Sequence, residues 1–115
     1  MDWLVFNQGH SIGTVGSESG EIINDIEHMS GARITVEKDG SIAPYSVTLG
    51  IYGLMFHTHF ASTIEDINKY IDFAKYKIQE IFYHYEIPEE FRDKHWQDQL
   101  NQFLKELTEQ SNTGG

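Results

Sequence analysis

The sequence predicts one α+β domain of 115 residues, in which an antiparallel sheet of about four strands in the N-terminal half packs on two C-terminal helices as two layers. Two patterns predict this fold class. Between residues 21 and 61, apolar and polar residues alternate, which is the period of a strand with one buried face. From residue 62 onward, apolar residues recur every three or four positions, which is the period of an amphipathic helix. Because the strands precede the helices, we expect the helices to cover one face of the sheet.

Residues 1–20 are expected to form a short N-terminal segment followed by a loop. Residues 3–6, Trp-Leu-Val-Phe, suit a short strand or a helical turn. Residues 9–20 contain four glycines and three serines, a composition that interrupts both helices and strands. This loop could be a mobile cover over a site or a plain connection, and the sequence leaves both open.

Two strands are predicted over residues 21–28 and 32–38. Gly31 lies between them and can adopt the positive φ of a hairpin turn. Residues 38–41, Lys-Asp-Gly-Ser, form a second turn signal, so a further strand is expected beyond them.

Residues 45–60 are β-rich and are predicted as one long strand that bends or bulges at Gly50 and Gly53. The alternative is a hairpin. A two-residue turn at Ile51 and Tyr52 would force a positive φ on a β-branched residue, which favours the bent strand.

Two helices are predicted over residues 62–86 and 88–108, followed by a frayed polar tail over residues 109–115. Ser62 is followed three residues later by a glutamate, which is the spacing of a capping box. Pro88 has a fixed φ that suits the start of a helix. The first helix carries an apolar stripe that could pack on the sheet or form an oligomer seam: Ile64, Ile67, Ile71, Ala74, Ile78, Ile81 and Tyr85.

The charge balance limits the classes of partner. Eighteen acidic residues stand against eight basic ones, for a net charge of −10. Nucleic acid and an anionic membrane surface are disfavoured as partners, because contacts to phosphate need a basic surface. A basic protein or a cation would be attracted. The negative charge could also serve solubility alone.

The absence of cysteine excludes disulfides and thiolate metal sites. The N-terminus has an acid at position 2 and only a short apolar run, which does not suit a signal peptide. No apolar stretch approaches the roughly 20 residues that span a bilayer. We therefore expect a cytoplasmic protein.

Ser11 is a weak candidate nucleophile. It lies in Gly-His-Ser-Ile-Gly, which resembles the G-x-S-x-G elbow of α/β-hydrolases over five positions. An elbow needs a helix directly after the serine, and the glycines at positions 16 and 20 disfavour one. The chain also lacks the length and the preceding strands of that fold, so we expect a loop and no catalytic residue.

The pair His57 and His59 is a candidate metal site. Residues two apart on a strand point to the same face, so both imidazoles could ligate zinc, copper, nickel or iron. Four residues were candidates for a third ligand: Asp25, Glu27, His28 and Glu37. The alternative is a solvated or hydrogen-bonded pair, and no cofactor is predicted beyond this possible divalent transition metal.

Strand alternation places the histidines opposite a set of larger apolar residues. Tyr52, Phe56 and Phe60 share one face of the predicted strand, and they suit the core better than the histidines do. We therefore expect the histidines to lie on the face that the helices leave open. Six aromatic residues are the predicted binding residues for a partner or a small molecule: Tyr52, Phe56, Tyr70, Tyr83, Tyr85 and Trp96.

The sequence favours a small, acidic, non-catalytic interaction or regulatory domain over an enzyme. We expect it to bind a protein partner, itself or a basic protein, and to be homodimeric. One version of this hypothesis is an immunity- or inhibitor-type protein that masks a basic partner. The alternative is a metal-binding protein or metal-dependent enzyme that uses His57 and His59.

Overall fold

The computed structural model describes residues 2–109 and has the α+β fold that the sequence predicts. A five-stranded antiparallel sheet has its strands in sequence order, and two helices follow it. The strands are β1 (Trp3–Val5), β2 (Glu21–His28), β3 (Ala32–Lys38), β4 (Tyr45–Ile51) and β5 (Met55–Ala61). The helices are α1 (Ile64–His84) and α2 (Lys94–Thr108).

The sheet has one strand more than the expected four because residues 45–60 form two strands, as described below. The short strand that the sequence allowed near the N-terminus is β1. It has three residues and pairs with the end of β2, with Trp3 opposite His28. A 3₁₀ turn follows over Phe6–Gly9, and Asn7 within it has a positive φ of 47°. A strand this short carries too little alternation to be separated from a turn by its pattern alone.

We predicted one bent strand over residues 45–60. The structure instead forms the hairpin of β4 and β5 there. A three-residue connection, Tyr52–Leu54, joins the strands and places the positive φ of 76° on Gly53. The backbone N–H of Leu54 donates to the carbonyl of Ile51 at 2.9 Å. The turn therefore avoids a positive φ at Ile51, which was the objection to a hairpin.

The core lies between one face of the sheet and α1, with α2 packed beside α1. β3 and β4 supply the sheet side with a cross-strand set of fully or nearly fully buried residues: Ala32, Ile34, Val36, Val47, Leu49 and Ile51. α1 supplies the other side through the predicted stripe, in which Ile67, Ile71, Ala74, Ile78 and Ile81 are buried. This burial is the main source of stability, because each buried aliphatic side chain contributes about 1.5–3 kcal/mol.

Both helices begin later than predicted. Thr63, not Ser62, is the N-cap of α1, and its hydroxyl accepts a hydrogen bond from the N–H of Asp66 at 3.2 Å. Residues 88–93 do not belong to α2. They form a 3₁₀ turn over Glu89–Phe91, after which Asp93 caps α2 by accepting from the N–H of Trp96 at 2.9 Å.

The loop of residues 10–20 folds onto the sheet face that the helices leave open. The buried carboxylate of Glu37 accepts hydrogen bonds from the backbone N–H groups of Glu18 and Gly20, at 3.1 Å and 3.0 Å. A Cβ on Gly16 would lie 2.3 Å from the Glu37 carboxyl carbon, so only glycine allows this close approach. Of the expected tail, residues 110–115 lie outside the described residues. None of the helices within residues 2–109 is long and apolar enough to cross a membrane.

Candidate functional site

One end of the molecule brings three segments together. In a sheet whose strands lie in sequence order, alternate turns lie at the same end, so the β2–β3 and β4–β5 turns are neighbours. The backbone N–H of Tyr52 in the second turn donates to the carbonyl of Gly31 in the first, at 2.9 Å. α1 runs back to this end, where its last turn brings Phe82, Tyr83 and Tyr85 beside the same two turns.

Tyr52 lies at the centre of this end. Its hydroxyl donates a 2.5 Å hydrogen bond to the carboxylate of Glu27 on β2. Burial and this hydrogen bond raise the pKa of Tyr52 to about 12, so the phenol stays protonated at neutral pH. The ring is nevertheless 48% exposed. The bond to Glu27 therefore fixes the side chain while its apolar surface remains available for contact.

Three surface depressions share Tyr52 as a wall. The first, about 600 Å³, lies between the two turns and the end of α1 and reaches Tyr83 and Glu86. The second, about 340 Å³, lies between the β2–β3 turn and β1 and reaches Leu4 and Met29. The third, about 590 Å³, lies on the open sheet face and reaches Phe56. Cavities of several hundred Å³ are of the size that holds a ligand group or an anchoring side chain.

The residues around these depressions include both apolar and acidic side chains. We call six of them the Tyr52 surface: Leu4, Glu27, Met29, Tyr52, Tyr83 and Glu86. Leu4, Met29 and Tyr83 are 60%, 73% and 62% exposed. Among residues 2–109, Arg33 is the only Lys or Arg that lines any of the three depressions, and its guanidinium is held by Asp25. This surface therefore carries net negative charge beside exposed aromatic rings.

The six predicted binding residues divide between this end and the core. Tyr52, Tyr83 and Tyr85 line one depression together. Phe56 lies on the open sheet face, 79% exposed. Tyr70 and Trp96 are buried, 3% and 8% exposed, and they join the two helices. The Tyr70 hydroxyl donates to the carbonyl of Leu107 at 3.0 Å, and the Trp96 indole donates to that of His84 at 2.9 Å.

The two histidines share a face, as predicted, but that face is the core face and not the open one. His59 lies opposite Val47 and His57 opposite Leu49, so both point towards the helices. His59 is 5% exposed and stacks on Tyr70, with ring centroids 3.9 Å apart. The expectation failed because we assigned the core face to Phe56 and Phe60, which the structure places on the open face. Burial lowers the pKa of both histidines, and His57 lowers that of His59 further.

The four candidate third ligands are engaged elsewhere. Asp25 and Glu37 point to the opposite sheet face, where they bind Arg33 and the 16–20 loop. Glu27 accepts from Tyr52, and the His28 ring accepts from the N–H of Ser30 at 2.9 Å. Across residues 2–109, no three His, Asp or Glu side chains are grouped so that they could hold a metal ion. The histidine metal site stays a prediction without a third ligand.

Ser11 belongs to a polar network centred on Asp25. Its hydroxyl donates to the Asp25 carboxylate at 2.8 Å, and Arg33 donates two further hydrogen bonds at 2.9 Å and 2.7 Å. Thr35 donates a fourth at 3.0 Å. Burial alone would raise the pKa of Asp25, but these hydrogen bonds together lower it. A carboxylate whose pKa is lowered is a weak general base. The geometry therefore gives Ser11 the role of a donor that holds the loop to the sheet.

Sequence reasoning missed Leu4, Glu27 and Met29 as parts of a binding surface. They come from β1, from β2 and from the turn after β2, and only the strand register brings them to Tyr52. The one local signal in the sequence was a large apolar residue, Met29, beside the glycine of the β2–β3 turn. Comparison with family models, with curated proteins and with solved structures finds no match for this chain.

Proposed function

We propose that this protein is a non-catalytic binding domain that recognises a basic segment of a protein partner through the Tyr52 surface. The observation that carries the proposal is the convergence of three depressions on one exposed, hydrogen-bonded tyrosine with acidic residues beside it. Aromatic residues in partly enclosed pockets are enriched among the residues that dominate binding energy at protein interfaces. The masking of a basic partner by an inhibitor-type protein is one form of this function.

The chemistry of the surface suits arginine and lysine side chains. A cation stacked on an exposed tyrosine gains about 0.5–1 kcal/mol or more, and a nearby carboxylate adds a charge-assisted hydrogen bond. The chain itself supplies an example next to this end. Arg92 donates to the carbonyl of Tyr85 at 2.7 Å, and its guanidinium carbon lies 5.1 Å from the Tyr85 ring centroid.

The overall charge supports the same class of partner. A chain of net charge −10 attracts basic proteins at long range, which raises the rate of encounter. The aromatic residues then give the short-range contact that net charge alone cannot supply. Glu86, Glu89 and Glu90 are exposed in the segment that follows α1 and extend the acidic region.

Site-specific photo-crosslinking tests this function in cells of the source organism. A photoreactive phenylalanine analogue is placed at Tyr52, at Tyr83 or at Tyr76. Tyr76, on α1, is at least as exposed as the other two and serves as the control. We expect the probes at Tyr52 and Tyr83 to capture the same basic protein and the probe at Tyr76 not to capture it. Equal capture from all three positions, or a captured protein that is acidic, would contradict the proposal.

A further inference from the structure

The outer edge of β5 is unprotected. β5 is the last strand of the sheet, seven residues long, and no strand within residues 2–109 pairs with its outer side. Edge strands expose backbone N–H and C=O groups, and proteins usually guard them with charges, prolines, bulges or short length. The opposite edge, β1, is guarded by its length of three residues. β5 contains none of these devices, and its register with β4 is regular.

The charge distribution favours a second copy of the chain at this edge. Residues 40–64 contain no Asp, Glu, Lys or Arg, although the chain as a whole has a net charge of −10. Two copies repel each other wherever their acidic surfaces meet. β5 lies within this stretch, so its own side chains place no carboxylate opposite the second copy.

The sequence of β5 is symmetric about Thr58. Residues 56–60 are Phe-His-Thr-His-Phe, which is the same in both directions. An antiparallel strand pair with a two-fold axis at Thr58 therefore places Phe56 opposite Phe60 of the second copy, and His57 opposite His59 of that copy. The two members of each pair lie on the same face of the joined sheet. Phenylalanine therefore meets phenylalanine on the open face, and the helices of both copies lie on the other face.

The side chains on the open face suit such contacts. Phe56, Thr58 and Phe60 point there, opposite Gly50, Thr48 and Ser46 of β4. Phe56 is 79% exposed, and its ring lies over Gly50. Aromatic pairs directly opposite each other on neighbouring strands stabilise a sheet. The two phenylalanine pairs would cover apolar surface that the single chain leaves in water.

We propose that β5 pairs antiparallel with β5 of a second copy about Thr58, so that two five-stranded sheets join into one continuous sheet. Phe56 also lines the third depression, but the dimer uses none of the six residues of the Tyr52 surface, so either proposal can fail without the other.

A charge exchange tests the pairing and its register. One variant carries Phe56→Lys and Phe60→Lys, and a second carries Phe56→Glu and Phe60→Glu. In the proposed register each variant places like charges opposite each other, so we expect the dimer dissociation constant, measured by sedimentation equilibrium, to rise roughly tenfold or more. An equimolar mixture of the two should form a heterodimer, and Tyr76→Lys on α1 should leave the wild-type dimer intact. Circular dichroism confirms that each variant is folded.

A cross-linking experiment locates the axis independently. The chain has no cysteine, so Thr58→Cys introduces a single thiol. We expect a short bismaleimide to join two copies through this thiol, since residues opposite each other on paired strands lie about 5 Å apart. Thr48→Cys on β4 is the control, because it keeps both phenylalanines and three strand spacings, about 14 Å, would separate two copies of residue 48. A monomer at all concentrations, or a dimer that cross-links equally through both positions, would overturn the proposal.

Discussion

At the scale of single residues, one buried carboxylate joins the loop to the sheet. Asp25 is fully buried and accepts hydrogen bonds from Ser11, Arg33 and Thr35. Phe6 covers the other side of Arg33, with its ring centroid 3.5 Å from the guanidinium carbon. The network therefore holds Phe6 and Ser11 of the N-terminal segment to β2 and β3, beside one of the three depressions at Tyr52.

Replacement of Asp25 by Asn should cost about 2–3 kcal/mol in the free energy of unfolding. The amide removes the negative charge and leaves Arg33 without its ionic partner, and the value lies below that of a fully buried pair because Arg33 is about one-third exposed. Urea denaturation measures the change. The control is Asp98→Asn, in an exposed pair with Lys94, where we expect almost no change. Equal effects at the two positions would contradict the role of the network.

At this scale the sequence indicated the aromatic members of the candidate site but not its apolar and acidic neighbours. Tyr52, Tyr83 and Tyr85 were named as part of a larger aromatic set, and the sequence did not separate them from Tyr70 and Trp96, which are buried. Leu4 and Met29 look ordinary in the sequence, and their role depends on the pairing of β1 with β2. We predicted the wrong sheet face for the two histidines, because we used residue type to choose the core face. The pairing of the histidines with Val47 and Leu49, which are buried in the core, determines which face they share.

At the scale of elements, the long periodic segments were predictable and the short connections were not. α1 covers residues 64–84 of the predicted 62–86, since most of its apolar stripe contacts the sheet. β1 and the 3₁₀ turn before α2 have three residues each, too few for any period. The β4–β5 hairpin was only the alternative to a bent strand, because the position of one glycine, Gly53, decides between a turn and a bulge.

The N-cap of α1 distinguishes the structure from the sequence-based expectation. Thr63→Ala should lower the free energy of unfolding by about 1 kcal/mol, because the N–H of Asp66 loses its acceptor. Ser62→Ala is the matched control and should have little effect. Thermal or urea denaturation of both variants measures this difference. A larger loss in the free energy of unfolding for Ser62→Ala would contradict this and support the capping box at Ser62 that the sequence predicted.

The two histidines on β5 predict how stability changes with pH. Their pKa values are lowered in the folded protein, so the unfolded chain binds protons more readily. Their contribution is therefore complete above the unfolded pKa of about 6.5 and is lost as the pH falls through the lower folded values. The carboxylate of Asp66 opposes the lowering of the His59 pKa. The Tyr70 ring, which stacks on His59, is a neutral phenol.

Urea denaturation between pH 7.5 and pH 5 measures this dependence. We expect the free energy of unfolding to decrease towards the acidic end, and the slope to be smaller in His57→Gln/His59→Gln. His95→Gln, at an exposed position early in α2, is the control and should keep the wild-type slope. An unchanged slope in the double variant would assign the acid sensitivity to other groups.

At the scale of the whole molecule, the negative charge acts in opposite directions on the two proposed interactions. It attracts a basic partner to the Tyr52 surface, and it repels a second copy of the whole chain, although β5 itself contains no Asp, Glu, Lys or Arg. Salt screens both effects over a Debye length of about 10 Å at 0.1 M. An increase in sodium chloride from about 0.05 M to about 0.5 M should therefore weaken binding of a basic peptide and strengthen the dimer.

Sedimentation equilibrium measures the dimer, and fluorescence anisotropy of a labelled peptide measures binding. A parallel response of the two to salt would show that one of the interactions has been assigned to the wrong surface.

The central claim is that the Tyr52 surface binds basic segments, and a nuclear magnetic resonance titration tests it most directly. The ¹⁵N-labelled protein is titrated with a short Arg-Gly repeat peptide and with the matching Glu-Gly peptide. We predict that the arginine peptide alone shifts the amide signals of Gly31, Tyr52 and Tyr83, and that Tyr52→Ala abolishes these shifts while Tyr76→Ala preserves them. Shifts spread over the acidic helices, or shifts that persist in Tyr52→Ala, would contradict the claim.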